Sequence, residues 1–353
     1  MQYLRLLLLP FSILYGLIIW LRNKAYDARI FSSHRFNIPV ICIGNLAVGG
    51  AGKSPMAEYI IRLLKDKQKV AVLSRGYGRK TVGFRLVSFE DTANEAGDEP
   101  LQFRQKFKDI TVAVSEKRVI GIEVLKAKHD VIILDDAFQH RAVSAGLNIL
   151  LFDYTRLNEP FFILPAGNLR EPFSGRKRAD ILVISKTPEN LSSAERKAIT
   201  RRVKPYNHQQ VFFSYLDYGT LSPLYPGQVS SPECITEAHS VFLLTGIANP
   251  KPLVDKLKSI TNKVKHHDYP DHHPFSKKNI TKLVSDFSAA SEAKKVIITT
   301  EKDAQRLQAA GIKELLKGLP VYYLPVTAKI HQPEAARFNN LIEEYATRHL
   351  QHN

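Results

Sequence analysis

The sequence predicts an α/β protein: a parallel sheet sandwiched by helices, then a smaller α/β unit, with an apolar helix ahead of both. Three observations predict it. Short continuous apolar runs rich in β-branched residues recur at 39–44, 70–73, 110–114, 131–134, 149–152 and 181–184, and helical patterns at 56–66 and 116–128 lie among them. Strands buried on both faces read this way, and strand–helix alternation is the mark of a parallel sheet. A turn-rich stretch at 214–238, holding Gly219, Pro223, Pro226, Gly227, Ser230, Ser231 and Pro232, separates these runs from a second set at 241–244, 296–299 and 321–324. Finally, residues 6–21 carry no charge. The expected organisation is an apolar helix over 1–24, a core domain over 25–220 and a smaller domain with its linker over 221–353.

Residues 6–21 are too few for a span, which needs roughly 20 apolar residues, and Pro10 interrupts them. No small-residue cleavage site follows; Arg22, Asn23, Lys24 and Arg29 do, which argues against a secretory leader. The expectation is a helix over 3–24 embedded in the inner face of a membrane, with Tyr15 and Trp20 near the headgroups. The competing structural reading is a buried core helix.

The 353 residues are 44% hydrophobic and carry a formal net charge of +16, which calls for an anionic partner. Without an RNA-binding signature or a basic tract interleaved with aromatics, nucleic acid is set aside. Cys42 and Cys234 lie far apart and suggest neither a disulfide framework nor a zinc site, in keeping with a reducing cytoplasm. No protein partner is inferred.

Ala47-Val48-Gly49-Gly50-Ala51-Gly52-Lys53-Ser54 follows the first apolar run and precedes a helical pattern. The glycines allow a tight turn whose N–H groups face phosphate oxygens. Lys53 adds a charge at the β/γ-phosphates, Ser54 offers a hydroxyl to Mg²⁺, and the positive end of the following helix favours the same anion. This makes the expected sheet P-loop NTPase-like, although Ala47 stands where the usual pattern has glycine. A ligand-free glycine turn is the plain alternative.

The run at 131–134 ends in Asp135 and Asp136, the form of a carboxylate pair that holds Mg²⁺ at a strand end. Gln139, His140 and Arg141 follow at the carboxyl edge, where open α/β sheets bind ligands. Gly97-Asp98-Glu99-Pro100 is a turn whose acid could accept a proton from a hydroxyl. Asp271-His272-His273-Pro274 suggests a histidine working with a carboxylate rather than a metal cage, because adjacent residues rarely chelate one ion. Arg75, Arg79 and Arg170 sit in loops after expected strands and suit phosphate or carboxylate contact. Lys186 follows another strand and reads as a base contact. Thr300-Glu301-Lys302-Asp303 superficially suggests guanine recognition but lies in the wrong half of the chain.

Eight motifs in order resemble those of the tetraacyldisaccharide 4′-kinases, the lipid A kinases of Gram-negative bacteria. They are the apolar helix, Gly44-Asn45 with residues 48–55, residues 74–79, 97–100, 135–141, 164–172, 271–273 and 300–303. Ser54 stands where the family more often has threonine. The resemblance implies transfer of the γ-phosphate of ATP, with Mg²⁺, to the 4′-hydroxyl of a tetraacylated disaccharide 1-phosphate, giving lipid IVA. It implies that Val48, Gly49, Gly50, Ala51, Gly52, Lys53 and Ser54 hold the phosphates, that Ser54, Asp135 and Asp136 hold the metal, and that Lys53 acts in catalysis. It also implies Asp98 as base with His272 assisting, and nucleotide-side roles for Arg118, Arg170 and Glu171. The partners it implies are lipid A disaccharide 1-phosphate and the lipid surface at the cytoplasmic face of the inner membrane. Competing functions are a kinase for another glycolipid and a nucleotide-dependent membrane switch. A switch needs no acceptor base, so Asp98 separates it from a kinase.

Overall fold

The computed structural model describes residues 5–225 and 235–347. The first residues of the apolar helix, Cys234, and the turn residues Pro226, Gly227, Ser230, Ser231 and Pro232 lie outside the described residues.

Helix α1 (Leu9–Asp27) precedes the first sheet. Strand β1 (Val40–Asn45) leads through the glycine-rich loop to α2 (Lys53–Leu64) and β2 (Val70–Ser74). Then come β3 (Arg85–Leu86), α3 (Ala93–Ala96), α4 (Asp98–Lys106), β4 (Thr111–Val114), α5 (Arg118–Leu125) and β5 (Val131–Asp135). The first pass closes with β6 (Leu147–Asp153), β7 (Ile181–Ser185), α6 (Ser193–Val203) and β8 (Gln210–Tyr218). In space β8, β7, β6, β1, β5, β2 and β4 run parallel in that order, with β3 antiparallel at one edge.

Every residue of β1, β2, β5 and β7 is buried, as strands covered on both faces require. Successive side chains point to opposite faces. Ile41 and Ile43 pack toward Met56, Ile60 and Ile61 of α2, whereas Val40 and Cys42 share the other core with Ile122 of α5 and Ile199 of α6.

The second sheet holds β9 (Ser222–Pro223), β10 (Ser240–Thr245), β11 (Val264–Asp268), β12 (Lys295–Thr300) and β13 (Val321–Leu324), in the order β11-β10-β12-β13-β9. Its helices are α7 (Lys251–Lys258), α8 (Lys277–Ala289), α9 (Glu301–Arg306) and α10 (Ala310–Leu316). Leu253 and Leu257 of α7 pack on one face, and Ile280, Leu283 and Phe287 of α8 on the other.

Two expectations need correction. The stretch at 214–238 is not linker throughout: residues 214–218 belong to β8, and β9 pairs with β13. Nor does all of 221–353 lie with the second sheet. After Pro325 the chain crosses back, and β14 (Val326–Ile330) pairs antiparallel with β8. Helix α11 (Glu334–Thr347) then covers α2, where the Tyr345 hydroxyl lies 3.1 Å from both the N–H and the carbonyl oxygen of Val40. The reason is burial: Ala328, Ile330, Ala335, Phe338, Ile342 and Ala346 of this returning segment share the α2-side core of the first sheet with Phe212 of β8.

Phe338 of α11 is fully buried, edge-on to Tyr59 and Phe212. Phe338→Ala is expected to cost about 3–5 kcal/mol in urea unfolding. A loss no larger than that of an exposed α11 substitution would show that this helix does not complete the core.

Candidate active site

The glycine-rich loop is held from outside. Gly49 (φ +102°) and Gly52 (φ +79°) take left-handed conformations that favour glycine. Arg156 donates to the Val48 carbonyl at 2.8 Å, Ser185 Oγ to that of Ala51 at 2.7 Å, and Lys186 Nζ to that of Gly50. Lys186 also pairs with Asp153 at 2.8 Å, so its ammonium anchors the loop rather than standing free for a base. Among the described residues no acceptor meets the N–H groups of Gly49, Gly50, Gly52, Lys53 and Ser54. That is the donor set an anion needs at a helix start. Lys53 opens α2, with Nζ 3.3 Å from Asn45 Oδ1 and 3.6 Å from Asp136 Oδ2.

Strand pairing puts the acids beside the loop, because Ile43 of β1 is level with Asp135 of β5. Asp135 is buried, and its Oδ2 accepts from Ser74 Oγ at 3.1 Å. Its Oδ1 is buried with no hydrogen-bond partner among the described residues. Burial, then the nearby Glu99 and Asp136, push its pKa up. Asp136 holds a left-handed backbone (φ +46°), which for a non-glycine residue marks local strain. Burial opposes its charge, but Lys53 and Arg170 outweigh it and hold the carboxyl below the usual range. Arg170 Nη1 lies 2.9 and 3.1 Å from the two Asp136 oxygens.

Arginines form another wall. Arg118 is buried with Nη1 on the Ser115 carbonyl at 2.7 Å, and burial, reinforced by Arg75, lowers its pKa to about 10. Burial and then Arg118, Arg75 and Arg22 push His140 down to about 4, so its imidazole is neutral at pH 7. Such a wall accepts an anion. Glu171 is different from the nucleotide-side residue expected. It is fully buried, its Oε1 accepts from Arg178 at 2.8 Å and Gln139 at 2.9 Å, and its Oε2 from Asn23 at 3.2 Å. It props up Gln139 from behind and does not line the cleft.

Asp98 begins α4 after Gly97 (φ +92°), where a side chain would press on the Tyr77 carbonyl oxygen at 3.0 Å. The second sheet brings three groups to it. His272, itself left-handed (φ +58°), places Nδ1 3.2 Å from Asp98 Oδ2. Arg306 donates Nε to the same oxygen at 2.8 Å. Lys302 Nζ lies 3.0 Å from His272 Nε2. An ammonium only donates, so Nε2 accepts and the proton of a neutral His272 sits on Nδ1, facing Asp98. Burial alone would raise the Asp98 pKa; the His272 hydrogen bond and the Arg306 charge overcome it and hold the carboxyl below its ordinary value. His273 turns away, stacked on Tyr269 at 4.7 Å with Nε2 3.1 Å from Asn279 Oδ1.

These groups surround one cleft of about 740 Å³. The first sheet contributes Lys53, Asp135, Asp136 and Arg170; the second contributes Asp271, His272 and Lys302; α1 contributes Tyr15, Ile19 and Arg22. Asp98 itself is 8% exposed and stands just behind His272. Lys302 and Arg306 were missed as site residues. For Lys302 the available signal was position, since 300–303 follows a strand of the second sheet as Asp136 follows one of the first. Tyr15 is not placed for a headgroup, because its hydroxyl donates to the Arg170 carbonyl at 2.9 Å. No helix among the described residues is long and apolar enough to cross a membrane.

The chain is similar to known proteins over nearly its whole length. A family model described as tetraacyldisaccharide-1-P 4′-kinase matches residues 4–346. A tetraacyldisaccharide 4′-kinase of Phocaeicola vulgatus is 42% identical over 344 residues, covering 96% of this chain and 94% of that relative. One of Flavobacterium johnsoniae is 44% identical over 329 residues, covering 92% and 93%. A crystal structure described as the "apo" form of LpxK from Aquifex aeolicus in complex with ATP superposes with a TM-score of 0.73 at 32% identity, covering 97% of this chain and 99% of that one.

Because Glu171 balances Arg178 in a buried setting, Glu171→Leu is expected to cost about 3 kcal/mol in urea unfolding. Nucleotide affinity of the folded variant should match the parent. Native stability with lost nucleotide binding would return Glu171 to the nucleotide.

Proposed function

The chain belongs to the tetraacyldisaccharide-1-P 4′-kinase family, and from that premise we propose a division of labour among its cleft residues. The reaction is ATP-dependent phosphorylation of the 4′-hydroxyl of tetraacyldisaccharide 1-phosphate to lipid IVA, in lipid A biosynthesis. In our reading Asp98 takes the proton of the 4′-hydroxyl. The acceptor oxygen forms its bond to Pγ as the bond from Pγ to the β–γ bridging oxygen breaks, and that electron pair leaves with ADP. The N–H groups of Gly49, Gly50, Gly52, Lys53 and Ser54 and the Lys53 ammonium hold the phosphates and the charge that builds on them, whereas the Val48 and Ala51 N–H groups, also expected there, donate instead to the Asn168 and Gly49 carbonyls at 2.8 and 3.0 Å. Arg118 lies on the anion-accepting wall of the same cleft, and Arg170 orients Asp136.

The observation that carries this reading is the Asp98–His272–Arg306 cluster, built from both sheets at the edge of the phosphate-loop cleft. The lower exposure of Asp98 would favour His272 as proton acceptor, with Asp98 orienting it. Lys302 supports the first assignment, because its ammonium lies 3.0 Å from the Nε2 lone pair that would receive the proton.

Mg²⁺ fits the residues present. Asp135 Oδ1 is buried and unpartnered, and Asp135, Asp136 and Glu99 crowd together beside Lys53. No three-residue His, Cys, Asp or Glu cage occurs among the described residues. That suits an ion held by one or two carboxylates and the substrate's phosphates. Ser54, Asp135 and Asp136 would hold it, and it would neutralise phosphate charge.

At the cytoplasmic face of the inner membrane, α1 would lie in the interface. Arg5, Ser12 and Tyr15 fasten one side of this segment to residues 166–170. Phe11, Ile13, Leu14, Leu17, Ile18 and Leu21 are exposed on it. An acylated acceptor would then meet the cleft where Ile19 and Arg22 line it.

Two measurements test these assignments. With radiolabelled ATP and the disaccharide 1-phosphate in detergent, Asp98→Asn is expected to lose about 10²–10⁴-fold in transfer while still binding ATP; parent-like transfer would remove Asp98 from the base role. Replacing Phe11, Leu14 and Ile18 together by serine should weaken vesicle partitioning on the order of 10²-fold or more. Unchanged partitioning would move the membrane surface elsewhere.

A further inference from the structure

Arg306 stands one turn beyond Lys302 on α9, and its side chain is only 7% exposed. Besides its 2.8 Å bond to Asp98 Oδ2, its Nη1 donates to Asp303 Oδ1 at 2.8 Å, the Gly246 carbonyl at 3.1 Å and the His273 carbonyl at 3.4 Å. One guanidinium therefore joins Asp98, the loop after β10 and the loop after β11. The loop after β10 reaches the phosphate loop: a methyl built on Gly50 would lie 3.7 Å from Ala248 Cβ, and Asn249 Nδ2 is 3.4 Å from Thr155 Oγ1. Asp303 fastens the same loop by accepting from Gly246 N–H at 3.0 Å.

The two donors on Asp98 meet the same oxygen. His272 Nδ1 and Arg306 Nε both point at Oδ2, and no donor among the described residues meets Oδ1. A carboxylate held by one oxygen with two donors has a set orientation, and its other oxygen is free to take a proton.

We propose that Arg306 is a positioning residue for the transfer, holding Asp98 Oδ2 and the two loops of the second sheet so that Oδ1 faces the acceptor hydroxyl in register with the phosphate loop. This rests on the reading of Asp98 as the base. Its second contribution is charge. Asp98 is faced by His272 from the loop after β11 and by Lys302 and Arg306 from α9, while Asp271 and Glu99 lie against His272 and Lys302. The Lys302 Nζ lies 3.0 Å from His272 Nε2 and between Glu99 and Asp271. Without Arg306, burial is opposed far less, and the Asp98 pKa rises. A base works ionised, so the loss deepens as pH falls through that raised value.

The test compares transfer kinetics of the full chain, Arg306→Met, Arg306→Lys and Asp98→Asn between about pH 8 and about pH 5.5, with ATP affinity measured on each to confirm folding. Arg306→Met is expected to lose on the order of 10²-fold in kcat, and its kcat/KM relative to the parent should fall further as pH drops. Arg306→Lys keeps the charge but not the planar set of bonds, so it should also be slow, with a pH-independent ratio to the parent. If both variants show the same pH-independent ratio, Arg306 is structural and the proposal fails. If Asp98→Asn transfers like the parent, it is the base reading that fails instead.

Discussion

Asp98 stays charged where nine-tenths of its surface is withheld from water, and much of the molecule is arranged to make that possible. A carboxylate buried without compensation takes up a proton instead. The compensation comes from α9, which belongs to the other sheet. Helices α4 and α9 pair antiparallel by charge: Asp98 at the start of α4 meets Arg306 at the end of α9, and Lys106 at the end of α4 lies 2.7 Å from Glu301 at the start of α9. Lys106 is also 2.7 Å from the buried Glu58 of α2, whose pKa burial raises despite that lysine. The helix that opens with Lys53, the helix that opens with Asp98 and the helix that carries Lys302 are thus tied by one run of charges.

The same balance recurs at the first sheet's edge with opposite emphasis. Asp136 is held charged by Lys53 and Arg170, whereas Asp135 is left with an unpartnered oxygen and a raised pKa. Left-handed, non-glycine backbone appears at Asp136 and at His272, one from each sheet and both lining the cleft. Each such residue costs about 1–3 kcal/mol, which persists only where the surroundings over-determine it. Here the surroundings are the Arg170 and Lys53 contacts on one side and the Lys302, Asp98 and Gly246 contacts on the other.

What was legible in the sequence follows from how local each interaction is. The phosphate loop is eight contiguous residues whose glycines and lysine are all needed in one turn, so it could be read directly. Asp135 could be read because an apolar run ends on it. Asp98 and His272 were recognisable only as members of an ordered set of motifs, since each turn alone is common. Arg306 sits in an ordinary helical stretch, and its partner is 208 residues away. Nothing local distinguishes it from any other helical arginine. The return of β14 to β8 was hidden for a similar reason: only Pro325 separates β14 from β13, and the two strands belong to different sheets. Glu171 misled in the opposite direction, because Arg170 beside it does reach the cleft while the next side chain turns to the opposite side and is buried.

The segment carrying Arg170 also explains why the apolar helix is fixed rather than loosely appended. Arg5 donates to the Gly167 carbonyl at 2.6 Å, Ser12 Oγ accepts from Ala166 N–H at 2.9 Å, and Tyr15 donates to the Arg170 carbonyl at 2.9 Å. Gly167 is packed so closely that a side chain there would fall 2.0 Å from the Phe162 carbonyl oxygen, so this strip has little room to shift. At its end the Arg170 guanidinium meets Asp136. The Tyr15 hydroxyl and an Asp136 carboxylate are therefore joined through a single residue, by its carbonyl on one side and its guanidinium on the other. A helix resting in a lipid surface would in this way fix the height of the carboxylates above that surface. For an acceptor whose acyl chains stay in the bilayer, that height decides whether its hydroxyl can reach the phosphate at all.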